Sequence, residues 1–184
     1  MTKFSLPKMM FGAALALGFA SGAMAQSVYG EVGYAAMSTK LSVPLLGISA
    51  TAKPSMARAL VGVSPFGGLS IEGIASAPLS DDNFTSRGTG LSTLGNAKVN
   101  QILGVYVGTK LGLGPVEVFG RAGMAKSEVK FSGLGKADDT DFSYGAGVRL
   151  IPMGNMTISA DYMNYLNKGG ARIEGYTLSV GYKF

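Results

Sequence analysis

Residues 176–184 read Tyr-Thr-Leu-Ser-Val-Gly-Tyr-Lys-Phe. Every second residue, from Tyr176 to Phe184, is aromatic or a large aliphatic, and the residues between them are small or polar. Successive side chains of a β-strand point to opposite faces, so this stretch predicts a strand with one apolar face and one polar face.

The same alternation recurs throughout the chain after residue 26. Seven further segments show it, at 28–36, 57–63, 69–77, 103–108, 116–123, 142–150 and 156–162. With 176–184 they make eight segments of about ten residues, the length that a tilted strand needs to cross a membrane. We therefore predict an all-β fold, an eight-stranded antiparallel up-and-down transmembrane β-barrel.

The connections between the segments alternate in length. Three are short and rich in Pro and Gly, as tight turns require, at 64–68, 112–115 and 151–155. Four are longer and more polar, at roughly 38–55, 80–98, 126–140 and 164–172. Short turns at one end and long loops at the other are the layout of outer-membrane barrels.

Residues 1–25 have the pattern of a cleaved signal peptide. Lys3 and Lys8 precede an apolar run, and Ala23-Met24-Ala25 forms a cleavage site of small residues. An uncleaved N-terminal anchor is the alternative, but the run is short for a membrane helix of about 20 residues. Residues 26–184 are the predicted barrel domain.

The composition excludes many functions. The 184 residues include no Cys and no His, and 15% are charged, against ~25% in an average domain. Without Cys or His the chain lacks thiol nucleophiles, imidazole bases and the commonest zinc ligands. We expect no enzymatic activity, no cofactor and no metal, although a Ser–Lys pair such as Lys126–Ser127 or Ser38–Lys40 is conceivable.

The net charge does not call for a nucleic acid partner. Removing Lys3 and Lys8 with the signal peptide leaves 14 of the 16 basic residues against 11 acidic ones, a net charge of +3. No basic stripe is present, so we expect no nucleic acid binding.

The polar face of the segments carries balanced charges. Five acidic and five basic residues share it: Glu31, Arg58, Glu72, Lys110, Glu117, Arg121, Asp141, Arg149, Asp161 and Lys183. The interior of an eight-stranded barrel is just wide enough for side chains to fill, and charges buried there must be paired. We predict a lumen charge network that leaves little conductance. Glycines on the same face leave room for its long side chains, for example Gly33, Gly123 and Gly147.

The alternating segments, with the ending Tyr176, Leu178, Val180, Tyr182 and Phe184, resemble the small outer-membrane β-barrel family, the OmpX-like and OmpA-membrane-domain group. The resemblance covers residues 27–184. It implies that the ending is the signal read by the outer-membrane barrel assembly machinery. It also implies the outer membrane of a Gram-negative bacterium as the location, with outer-membrane lipid, lipopolysaccharide and an extracellular ligand for the loops as partners.

The resemblance implies a non-enzymatic barrel that stabilises the membrane or displays its four loops for surface interaction or adhesion. Two alternatives are open from the sequence. One is a small passive porin, because some members of the family are porins. The other is a soluble secreted or periplasmic β-sandwich, in which the charged residues would face solvent.

Overall fold

The computed structural model describes residues 27–43, 48–80, 85–87, 97–131, 135–168 and 171–184. The predicted signal peptide lies outside these residues. The described part contains ten strands: β1 (Ser27–Val43), β2 (Ile48–Ala52), β3 (Ser55–Phe66), β4 (Leu69–Ser80), β5 (Thr85–Arg87), β6 (Ala97–Leu113), β7 (Val116–Phe131), β8 (Gly135–Leu150), β9 (Met156–Lys168) and β10 (Ala171–Lys183).

Eight of these strands close into an antiparallel barrel. The order is β10-β9-β8-β7-β6-β4-β3-β1, and β1 pairs with β10 from Tyr29↔Lys183 to Leu41↔Ala171. The short strands β2 and β5 extend the sheet beyond the barrel, where β2 pairs with β1 and β5 with β2. The predicted eight-stranded antiparallel barrel is confirmed, and the two stacked sheets of a sandwich are excluded.

The three short connections lie at one end of the barrel, which we call the turn end. Their glycines Gly68, Gly114 and Gly154 have φ of 94°, 69° and 56°, in the left-handed region that side chains with a Cβ disfavour. The first and last described residues of the chain lie there as well, since the Phe184 N–H donates a 2.7 Å hydrogen bond to the Val28 carbonyl.

The strands reach further at the opposite end, which we call the loop end. The prediction of long loops over 126–140 and 164–172 was wrong for most of these residues. The β7–β8 hairpin stays paired to Phe131↔Gly135, and the β9–β10 hairpin to Lys168↔Ala171. Backbone pairing satisfies N–H and C=O groups whatever the side chains, so polar residues continue these strands beyond the apolar band.

The outer wall of the barrel is apolar although it is exposed. Large side chains such as Val105 and Leu178 are 67% and 63% exposed. A water-soluble domain rarely exposes a contiguous apolar surface of this extent, which indicates a lipid environment. No helix among the described residues is long and apolar enough to cross a membrane.

Aromatic side chains lie at both edges of this apolar band. Tyr182 and Phe184 pack together near the turn end, with ring centroids 5.2 Å apart. Tyr162 and Tyr176 do so nearer the loop end, at 5.1 Å. Eight residues separate Tyr176 from Phe184, about 27 Å along the strand, or about 20 Å of height at the usual tilt of such barrels. The band therefore has the height of a membrane-facing barrel surface.

Candidate functional site

The inward-facing side chains nearer the turn end form two connected charge clusters. We call them the central cluster (Arg58, Glu72, Arg121 and Asp161) and the turn-end cluster (Glu31, Glu117, Arg149 and Lys183). They occupy the lumen because every strand that contributes a member points alternate residues inward.

In the central cluster, arginine and carboxylate side chains alternate. Arg121 Nε lies 2.9 Å from Glu72 Oε2, and Arg121 Nη1 lies 3.7 Å from Asp161 Oδ2. Arg58 forms a two-pronged pair with Asp161, in which Nη1 donates a 2.7 Å bond to Oδ1 and Nη2 contacts Oδ2. All four side chains are almost completely buried, so each charge depends on its partners for stabilisation.

In the turn-end cluster, Arg149 joins two carboxylates. Its Nε donates a 2.8 Å hydrogen bond to Glu31 Oε1, and its Nη1 lies 3.2 Å from Glu117 Oε2. Lys183 Nζ donates a 2.7 Å bond to the other oxygen of Glu117. Ser159 donates a 2.8 Å bond to Glu31. The cluster thus joins side chains from β1, β7, β8, β9 and β10.

Two aromatic rings connect the clusters. The guanidinium carbon of Arg121 lies 4.6 Å from the Phe119 ring centroid, and that of Arg149 lies 5.0 Å from the same centroid. The Tyr29 ring lies 4.8 Å from the Arg149 guanidinium, and its hydroxyl donates to Glu72. Lys110 Nζ lies 5.9 Å from the Tyr29 ring. Cation–π contacts of this kind stabilise cations in a desolvated lumen.

Nine of the ten predicted lumen charges therefore lie in or beside these clusters, and Asp141 does not. Asp141 is near the loop end, where its carboxylate accepts hydrogen bonds from the backbone N–H groups of Phe142, at 2.8 Å, and Asn167, at 3.0 Å. Its parity places it on the polar face, but its height on β8 separates it from the two clusters. Among the described residues Asp141 is therefore placed apart from the nine charges that the structure brings together.

On the loop-end side of the charges lies an apolar layer that the sequence analysis missed. Met56 follows Arg58 on that side, Met163 follows Asp161, and both are fully buried. The layer also includes Met37, Ile74, Ile102, Tyr165, Leu166 and Ile173. Several members of this layer fall in or beside segments predicted as loops, so the sequence analysis did not assign them to the inner face of a strand. One signal for this layer was present in the sequence. Ala35, Met37 and Thr39 continue the inward-facing positions of the first segment beyond Ala36, where the predicted strand ended.

The described residues allow two of the sequence candidates to be checked, a metal site and the pair Lys126–Ser127. No group of three or more acidic residues that could hold a metal is present in the described part of the chain. Ser127 is buried, whereas its neighbour Lys126 is exposed on the other face of β7. This Ser–Lys pair therefore does not form a nucleophile and base on one surface.

A closed antiparallel barrel with an apolar outer wall and a charged lumen defines an integral outer-membrane protein. The chain matches the outer membrane protein beta-barrel domain family over residues 11–184 and belongs to that family. No curated protein matches it in sequence.

The solved structures that resemble it include small outer-membrane barrels. Ail, the attachment invasion locus protein of Yersinia pestis, is 20% identical, with 88% of this chain and 100% of that chain covered and a TM-score of 0.62. A second structure of Ail, in complex with the heparin analogue sucrose octasulfate, has a TM-score of 0.59 at the same identity and coverage. Neisserial surface protein A is 19% identical, with 85% and 97% covered and a TM-score of 0.58.

The predicted location is confirmed: the protein resides in the outer membrane of a Gram-negative bacterium. Barrels of this class have short periplasmic turns and longer extracellular loops. By this rule we expect the turn end to face the periplasm and the loop end to face the outside of the cell.

Proposed function

We propose that this protein is a non-enzymatic outer-membrane barrel with a closed lumen, which stabilises the membrane and presents its loop end to an extracellular ligand. The observation that carries the proposal is the filled lumen. The turn-end cluster, the central cluster and the apolar layer follow one another along the barrel axis.

Each of the three layers opposes ion flow for its own reason. The two clusters already pair their charges, so a permeating ion would have to displace a buried partner. The large apolar side chains of the apolar layer cannot replace an ion's hydration shell, and apolar constrictions exclude water. Closure of the lumen by these three layers favours a structural or interaction role over the passive porin.

Planar bilayer recordings test this proposal. We expect the purified, folded barrel to give no steady single-channel current, because the two charge clusters and the apolar layer fill the lumen with buried side chains. A conducting porin in the same bilayers is the positive control, and protein-free liposomes are the negative control. Steady unitary currents whose frequency rises with protein concentration would favour the passive porin instead.

The remaining partners follow from the outer surface. The apolar wall supports contact with outer-membrane lipid, and lipopolysaccharide is the lipid partner that we propose for the extracellular side. The aromatic and aliphatic side chains of Tyr176, Leu178, Val180, Tyr182 and Phe184 are exposed on the folded barrel. Because the resemblance to the small outer-membrane barrels implies that this ending is an assembly signal, we propose the barrel assembly machinery as the partner that reads it.

For the extracellular ligand we propose a polyanion. Exposed basic side chains, including Lys168 and Arg172, lie at the loop end. The complex of Ail with a heparin analogue shows that a barrel of this fold binds a sulfated ligand. Polyanion binding by basic side chains is electrostatic and therefore depends on ionic strength.

Binding to immobilised heparin tests the ligand class. We expect barrels in lipid nanodiscs to be retained at low salt and released by added salt or by sucrose octasulfate. Empty nanodiscs of the same lipid are the matched control. Passage without retention at low salt would contradict the polyanion, while the closed barrel would still be tested separately by its conductance.

A further inference from the structure

The outer wall of the barrel is not uniform. A groove of about 490 Å³ crosses the lipid-facing surface of β1, β8, β9 and β10. Small side chains, Ala36, Ala146 and Ala160, lie along it, and Tyr162 and Tyr176 stand at its edge. A concave, mostly apolar surface of this size within the membrane band has the chemistry to receive a lipid acyl chain.

A second groove, of about 650 Å³, adjoins the first on the side of the loop end. The two share Ala36, Tyr162 and Tyr176, so they form one continuous surface. Unlike the first groove, the second is lined by charged side chains, among them Lys53 and Arg172. The combined surface is therefore apolar at one end and cationic at the other. It complements a phospholipid or glycolipid, which has apolar acyl chains and an anionic headgroup.

The cationic end has more positive than negative charge. Lys40 and Arg172 are direct register partners on β1 and β10. Glu174 lies 3.7 Å from Lys40 Nζ and 2.7 Å from Arg172 Nη2, and Lys53 lies in the same groove. Like charges directly opposite each other destabilise a sheet, and one carboxylate does not balance three cations. A further anion between them would relieve the repulsion.

The height of these cations matches that of lipid phosphates. Arg172 lies four residues beyond Tyr176 on the same face of β10, about 13 Å along the strand. At the tilt of such barrels the Arg172 backbone is about 9 Å above that of the tyrosine, just beyond a polar region about 5–8 Å thick, and the long side chains of Lys and Arg can reach back to the headgroups. Interfacial tyrosines mark the boundary of the hydrocarbon, so the cations lie at the headgroup level.

We propose that this surface binds one phosphate-bearing lipid of the outer leaflet, with an acyl chain in the apolar groove and the phosphate at Lys40, Lys53 and Arg172. The proposal rests on the lipid partnership given above and adds its place on the barrel. Charge complementarity favours this occupant over a second copy of the chain, which would oppose one cationic patch to another.

Native mass spectrometry of the folded barrel in detergent micelles, titrated with diphosphoryl lipid A, tests the proposal. We expect one tightly bound lipid per barrel. The variant Lys40→Gln/Lys53→Gln/Arg172→Gln should bind at least tenfold more weakly, and the wild type should show the same loss with lipid A lacking both phosphates. The matched control, Lys126→Gln, removes an exposed basic residue outside the groove and should bind as the wild type does.

A second variant tests the apolar end. Ala160→Phe fills the groove and should weaken lipid A binding severalfold without disturbing the lumen, because Ala160 faces outward. The proposal is overturned if the triple variant binds equally well, if inorganic phosphate competes as effectively as the lipid, or if the surface yields dimers. The closed barrel is tested separately, by its conductance and by the different gel migration of its folded and boiled forms. Failure of the lipid proposal would therefore not contradict the proposed closed barrel.

Discussion

Replacing Arg121 with Met lowers the free energy of unfolding of the barrel by about 3–5 kcal/mol. The Arg121 side chain is fully buried, and its guanidinium lies between Glu72 and Asp161. Met fills much of the volume but leaves Glu72 without its basic partner in the central cluster. The carboxylate must then be buried uncompensated or bind a proton, and both cost free energy. The urea midpoint in lipid vesicles, read from the heat-modifiable gel shift, measures the change.

Two further variants separate the loss of pairing from a general loss of charge. Lys168→Met removes an exposed ion pair, in which Lys168 Nζ lies 3.3 Å from Asp139 Oδ1. It should change the free energy of unfolding by no more than about 1 kcal/mol. Adding Glu72→Gln to Arg121→Met removes the uncompensated carboxylate and should restore part of the midpoint. An unchanged midpoint for Arg121→Met alone would show that the lumen charges do not stabilise the fold.

The two faces of the strands could be predicted from the sequence because strand alternation is local. Alternation along each strand assigns Glu31 and Arg149 to the polar face, and closure of the barrel turns that face inward. This assignment does not require knowing which residues they contact. Which residues pair could not be predicted. The two are 118 positions apart, and their contact depends on the register of every strand between β1 and β8.

The loop half of the barrel could not be predicted for two physical reasons. The strands continue there with small and polar residues, whose pairing comes from the backbone and leaves no apolar alternation. A bulge in β9 also breaks the alternation, because Asn164 pairs with Glu174 and Leu166 with Ile173, which leaves Tyr165 between them without a register partner. Tyr165 and Leu166 are consequently both buried although they are neighbours. Strict alternation would place two neighbouring residues on opposite faces of the strand, so it cannot predict that both are buried.

The second large effect concerns the close approach of β6 and β7 in the lumen wall. Gly123 pairs with Tyr106, and a Cβ added at Gly123 would collide with the Val105 carbonyl oxygen and lie 2.7 Å from the Tyr106 Cα. Both obstacles are backbone atoms of the neighbouring strand, so no side-chain rotation can remove the overlap. Room for an alanine requires the strands to separate and their hydrogen bonds to lengthen.

We therefore expect Gly123→Ala to destabilise the barrel by about 3 kcal/mol, the upper part of the range for overpacking. The matched control is Gly112→Ala in the same hairpin, where an added Cβ would meet nothing within 4 Å. Urea midpoints of the two variants in the same vesicles give the comparison, and Gly112→Ala should stay close to the wild type. Equal midpoints would mean that β6 and β7 separate at little cost and that the close backbone approach at Gly123 does not stabilise the barrel.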